Sequence, residues 1–190
     1  MKIYYCEQFP QQMSQHCLAY LLLERGIALE YPELPRREIR YGKDRFGKPF
    51  LQDYPVIQFN ISHCRSCVAC VIGEDMVGID VERRFPWKEN LARRICHPRE
   101  WDWLEEVKED KVKQEERLNL LWTRKESYLK CIGTGIRSDL REINVLEKQT
   151  GKENCFCFQE LQKPEFTLTV CSRENGRAPL VKIDWQDLQK

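Results

Sequence analysis

Three acidic side chains and a lysine stand out for what their spacing could do. In Val77-Gly78-Ile79-Asp80-Val81-Glu82 an apolar run ends in two carboxylates two residues apart. Residues i and i+2 of a strand share a face, so Asp80 and Glu82 converge while Ile79 and Val81 turn toward a core. A hard dication would neutralise that pair, and a solvated strand end would also account for it. The second group is Trp122-Thr123-Arg124-Lys125-Glu126-Ser127-Tyr128-Leu129-Lys130. There Glu126 and Lys130 stand one helical turn apart beside an apolar stripe of Leu118, Leu121, Trp122, Leu129 and Ile132. An ordinary surface ion pair would look the same.

Two further segments supply donors. Phe59-Asn60-Ile61-Ser62-His63 breaks from strand pattern into a polar triplet whose Asn, Ser and His can donate to phosphate oxygens or cap the next turn. Arg45-Phe46-Gly47-Lys48-Pro49 lacks the spacing of a Walker loop; its glycine allows close backbone approach to a ligand, or simply a turn. A dication site, phosphate donors and cationic side chains near a helix are together the parts that pyrophosphate chemistry needs.

These groups must be positioned by recognisable elements. Ser14 to Arg25, with apolar positions 17, 18, 21 and 22, predicts a helix that Gly26 ends and that packs on a sheet. Residues 31–54, rich in proline, charge and glycine, predict irregular strand and turn. Val56–Ile61, Ser66–Ile72 and Val77–Val81 predict strands in an antiparallel meander. A helix is expected from Pro98 and a second from about Glu115 to Ile132, stopped at Gly133-Thr134-Gly135. Strands are expected over Glu142–Glu147, Cys155–Phe158 and Phe166–Ser172, with turns at Gly151 and at Arg173-Glu174-Asn175-Gly176. The order predicts an α+β class, with one half at residues 1–94 and another at 95–190.

Composition narrows the function. Among 190 residues, 31 Lys and Arg face 30 Asp and Glu, so no broad field favours nucleic acid or an anionic membrane, and any anion site is local. No stretch is apolar enough for a signal peptide or a membrane span, which predicts a cytoplasmic protein. The ten cysteines are scattered through apparent strands and helices, as expected of reduced, packed thiols. Cys64, Cys67 and Cys70 suggest a metal run, but three-residue spacing in a strand sends side chains to opposite faces. Cys155 and Cys157 share a face without evident partners, and His16 and His97 are expected in packing or at the surface.

The order Gly47-Lys48-Pro49, Asn60 to His63, Gly78 to Glu82 and Trp122 to Lys130 resembles the Sfp branch of the phosphopantetheinyl transferases. The resemblance implies a pseudo-twofold pseudodimer of two small α/β halves with coenzyme A in the cleft between them. It implies magnesium on Asp80, Glu82 and Glu126; Lys48 and Pro49 beside adenine; Ser62 and His63 on phosphates; Lys130 on the pyrophosphate; and Lys125 as a further phosphate contact. Glu126 becomes the candidate general base, with Lys130 its catalytic partner, and Glu100 a possible orienter of a metal water. The expected reaction moves 4'-phosphopantetheine from coenzyme A to a serine of an acyl or peptidyl carrier protein, releasing adenosine 3',5'-bisphosphate, in a monomer.

The chain departs from that family in having almost no basic, proline-and-lysine-rich segment before the first helix. Neither Gln15 nor Cys17 offers a cation there, leaving Arg36, Arg37 or Lys43 as substitutes. A noncatalytic relative that binds coenzyme A or a carrier, and a magnesium-dependent hydrolase of pyrophosphate bonds, are the competing readings.

Overall fold

The computed structural model describes residues 1–35, 39–135, 139–146, 149–151, 154–173 and 176–189, with the side chains of 149–151, 154 and 155 outside the description. The elements are β1 (Lys2–Glu7), α1 (Gln15–Glu30), β2 (Tyr41–Lys43), β3 (Pro49–Leu51), β4 (Gln58–Cys64), β5 (Cys67–Gly73) and β6 (Val77–Arg83). They continue with α2 (Glu89–Ile95), α3 (Pro98–Glu105), α4 (Lys111–Ile132), β7 (Gln149–Gly151), β8 (Asn154–Gln162), β9 (Phe166–Ser172), β10 (Leu180–Lys182) and α5 (Trp185–Leu188). The class is α+β.

Two four-stranded sheets, ordered β10-β1-β5-β4 and β6-β9-β8-β7, form the middle of the molecule. Alternation decides which face each residue buries. Even-numbered Tyr4, Val68, Cys70 and Ile72 meet α1, through Leu18, Leu22, Leu23 and Ile27. Odd-numbered Ile3, Ala69 and Val71 meet Ile79, Val81, Leu168 and Val170 of the other sheet. The remaining face of β6 and β9 lies under α4. The layers therefore run α1, first sheet, second sheet, α4. Neither sheet could bury its apolar face alone.

The expected meander fails at its third strand. β4 and β5 pair antiparallel, but β6 leaves them and pairs with β9, Asp80 opposite Thr169. Late in the chain β10 returns to pair parallel with β1. The segment 142–147, expected as a strand, instead holds a 3-10 turn at Leu140–Glu142 and irregular chain to residue 146; residue 147 is outside the description.

Gly26 does not end α1, which runs four residues farther. A Cβ at Gly26 would meet Ile72 Cδ1 at 2.8 Å, so this glycine lets the helix lie close to the sheet. Consequently 18, 19, 22, 23, 26 and 27 are buried, while Cys17 and Leu21 face out. Ser14 caps the helix start, accepting from Cys17 N. At its end α4 stops where expected, at Gly133 with φ +73°, a left-handed conformation that glycine adopts without Cβ strain.

Candidate active site

The site is assembled where β4, β6 and α4 meet. β4 and β6 are edge strands of different sheets, and side chains rather than a backbone ladder join them. Asn60 Oδ1 accepts from Ile79 N at 2.9 Å, and Ser62 Oγ accepts from Val81 N at 3.1 Å. The polar triplet thus fixes β6 against β4, satisfying two buried amides that would otherwise be costly. It does not cap a turn.

α4 is set against β6 by Gly78. A Cβ there would stand 2.1 Å from Ser127 O and 2.3 Å from Cys131 N, so only glycine permits this approach. Side chains on the helix face of β6, Asp80 and Glu82, are thereby brought to Glu126 and Lys130. Together with His16, Tyr20, Lys43, Gly47, Pro49, Ser62, His63 and Trp122 they line one groove of about 450 Å³.

The charges within it are unequal in their partners. Asp80, only 3% exposed, is no solvated strand end. Its Oδ1 accepts from Lys130 Nζ at 2.7 Å and from Ser62 Oγ at 3.2 Å, and Lys130 Nζ also reaches Ser62 Oγ at 3.0 Å. Lys130 is therefore not paired with Glu126 along the helix. Asp80 Oδ2 and Glu126 Oε1 are both buried with no hydrogen-bond partner among the described residues. Glu82 Oε1 accepts only a long bond, 3.5 Å, from Trp122 Nε1. Burial, then repulsion from Asp80, pushes the Glu126 carboxyl up to about 7, and the same two causes raise Glu82.

Orphaned carboxylate oxygens beside mutually repelling acids are what a hard cation would satisfy, and an all-oxygen donor set suits magnesium. As they stand, no three His, Cys, Asp or Glu side chains among the described residues form a ready metal cage; the Lys130 ammonium supplies Asp80 with its countercharge instead. The donor chemistry and the two unpartnered oxygens fit such an ion.

Other sequence-nominated residues fall differently. Lys125 is not in the groove. It is fully buried on the opposite side of α4, 2.8 Å from Glu100 Oε2, and donates to the carbonyls of Leu140 and Ile143. Burial lowers its pKa, partly offset by Glu100. Glu100 itself also accepts from His97 N and Val145 N, so it staples α3 and the 139–146 segment rather than orienting any groove water. Lys48 turns inward to the carbonyls of Val77 and Cys131, at 3.1 and 3.2 Å, leaving Pro49 on the groove wall. Ser62 is 6% exposed and its hydroxyl is committed to Val81, Asp80 and Lys130, whereas His63 is exposed.

His63 stands edge-on to His16 at 6.0 Å between ring centroids; partial burial of its ring, then His16 and Lys130, lower its pKa. His16 and Tyr20 line the groove from α1; apolar spacing at 17, 18, 21 and 22 does not reveal this, since the buried positions are 18, 19, 22, 23, 26 and 27. Lys43, a nominated substitute cation, is there; Arg36 and Arg37 lie outside the described residues. Of the spaced cysteines, Cys70 joins the core under α1 and Cys64 and Cys67 the core between sheets, whereas Cys17 on α1 is exposed. No described helix is long and apolar enough to cross a membrane.

Comparison with known proteins adds an independent line. Residues 76–180 match the model of the 4'-phosphopantetheinyl transferase superfamily. The chain is 28% identical over 178 residues to the 4'-phosphopantetheinyl transferase Sfp of Bacillus subtilis, covering 88% of this chain and 78% of that protein. It is 35% identical over 129 residues to the 4'-phosphopantetheinyl transferase gsp of Aneurinibacillus migulanus, 68% of this chain and 53% of the relative. A human L-aminoadipate-semialdehyde dehydrogenase-phosphopantetheinyl transferase is 30% identical over 143 residues, 68% of this chain and 46% of its own.

Proposed function

The chain belongs to the 4'-phosphopantetheinyl transferase superfamily, and from that premise we propose that its groove takes coenzyme A and delivers the phosphopantetheine arm to a carrier-protein serine with magnesium. The observation that carries this reading is the pair of buried, unpartnered oxygens, Asp80 Oδ2 and Glu126 Oε1, beside the Lys130 ammonium.

Asp80, Glu82 and Glu126 would hold the ion, which when bound supplies neutralisation of charge on the pyrophosphate. Lys130 reaches the same oxygens from its seat on Asp80, adding a positive charge where negative charge builds up. His63 and His16 donate to phosphate from the α1 side, Lys43 adds a cation, and Pro49 borders the adenine with only the stem of Lys48. Ser62 acts by holding Asp80 and Lys130 in register, and Lys125 has no contact with substrate.

The serine Oγ attacks the phosphorus that carries pantetheine. A new Oγ–P bond forms as the bridging P–O bond breaks, and the bonding pair departs with adenosine 3',5'-bisphosphate. The serine proton passes to Glu126, the acid on α4 that faces the same space.

Incubating the protein with coenzyme A, magnesium and an apo carrier protein, then weighing the carrier, tests this. A gain of one phosphopantetheine group is expected. Cleavage of coenzyme A without that gain would select a hydrolase, and coenzyme A binding with neither product would select a noncatalytic relative; either overturns the proposal.

A further inference from the structure

Beyond the groove, a polar cleft of about 740 Å³ lies at the adjoining ends of β4 and β6. It is walled by Glu7, Gln8 and Gln11 after β1, Arg65 and Ser66 in the β4–β5 turn, Arg83 and Arg84 ending β6, and Lys163 to Phe166 in the β8–β9 turn. Its charges do not cancel. Glu7 is paired with Lys182 and Arg84 with Glu116. Among the described residues, Arg65, Arg83 and Lys163 have no carboxylate partner, and Glu165 alone opposes them. In a chain whose total charge is only +1, this is a local cationic surplus.

The cleft and the groove share strands. His63 lines the groove and Arg65, two residues on, the cleft; Glu82 lines the groove and Arg83, next in chain, the cleft. Two strand residues span roughly 7 Å, so the cleft and the groove are neighbours along the ends of β4 and β6. Gln8, left-handed at φ +60°, turns the chain after β1 into this wall, and Gln11 Nε2 donates to Arg65 O, bracing the β4–β5 turn.

We propose that this cleft docks the carrier protein through an acidic segment flanking its acceptor serine, with Arg65, Arg83 and Lys163 as the recognising cations. The proposal rests on the transferase reading of the neighbouring groove. Charges at an exposed rim act mainly on encounter and on its salt dependence, so the cleft sets how well the carrier is found and leaves the chemistry to the groove.

The test is steady-state transfer to a purified apo acyl carrier protein by the wild type and by the Arg65→Glu/Arg83→Glu/Lys163→Glu variant. KM for the carrier is expected to rise at least about tenfold, with kcat and KM for coenzyme A held near wild type. A carrier whose acids flanking the serine are changed to amides should lose affinity for wild type but lose little more with the variant. An unchanged carrier KM, or equal losses with coenzyme A, overturns the docking site. Absence of transfer by the wild type would instead sink the transferase reading itself.

Discussion

Glu126 is where burial and charge meet most sharply. Unfolded, its carboxyl loses a proton near 4.5; in the fold, burial and Asp80 delay that loss to about 7. Between those values the unfolded chain releases a proton the native state keeps, so without a cation this group's contribution to stability falls as pH rises from about 4.5 to about 7 and is whole below that window. His63, held below 6.5, has the opposite slope near its own titration, which is why a difference measurement is needed. Thermal midpoints of wild type minus Glu126→Gln, in chelator, should decline by a few degrees across pH 4.5–7; a flat difference would contradict the burial of Glu126 Oε1. The three carboxylates were legible because strand and helix periodicities place them on single faces. The true partner of Lys130 was not, since helix spacing favoured Glu126 and only the fold brings Asp80 within 2.7 Å.

At the scale of elements, α4 carries the site on one side and a buried brace on the other. Gly78 sets the first side: Gly78→Ala forces its Cβ into the α4 backbone, where no flexible side chain can yield, and should cost about 1–3 kcal/mol or more. Denaturant unfolding should show that loss, together with transfer reduced out of proportion to the folded fraction; a variant as stable as wild type would mean the helix is not seated as described. Lys125 and Glu100 set the other side. Removing one partner leaves a buried charge, so Lys125→Met should cost about 3–5 kcal/mol, and adding Glu100→Leu should recover much of it. A Lys125→Met variant that unfolds at wild-type denaturant concentrations would return Lys125 to the surface. Sequence spacing could not separate Lys125 from Lys130, because both lie near the same acid on the helix, and the register of a helix buried on two sides is set by tertiary packing. The end of α1 is hidden for a similar reason: Gly26 looks like a stop in sequence but serves close packing.

Across the whole molecule, the groove exists because the edge strands of the two stacked sheets, β4 and β6, come together, with Asn60 and Ser62 replacing a strand ladder. The α+β class and most strands could be read from alternation, whereas β6 pairing with β9 and β10 with β1 depend on contacts far apart in sequence that local pattern does not encode. That junction puts acids from one strand and one helix around a common space, where together they would hold a divalent cation. Mn2+ binding, followed by loss of the free-ion paramagnetic resonance signal, addresses this directly in wild type and in an Asp80→Asn/Glu126→Gln double variant of verified fold. One site per chain in the wild type, weakened at least about a hundredfold in the variant, is predicted; wild type that binds no ion, or a variant that binds it equally well, would contradict it.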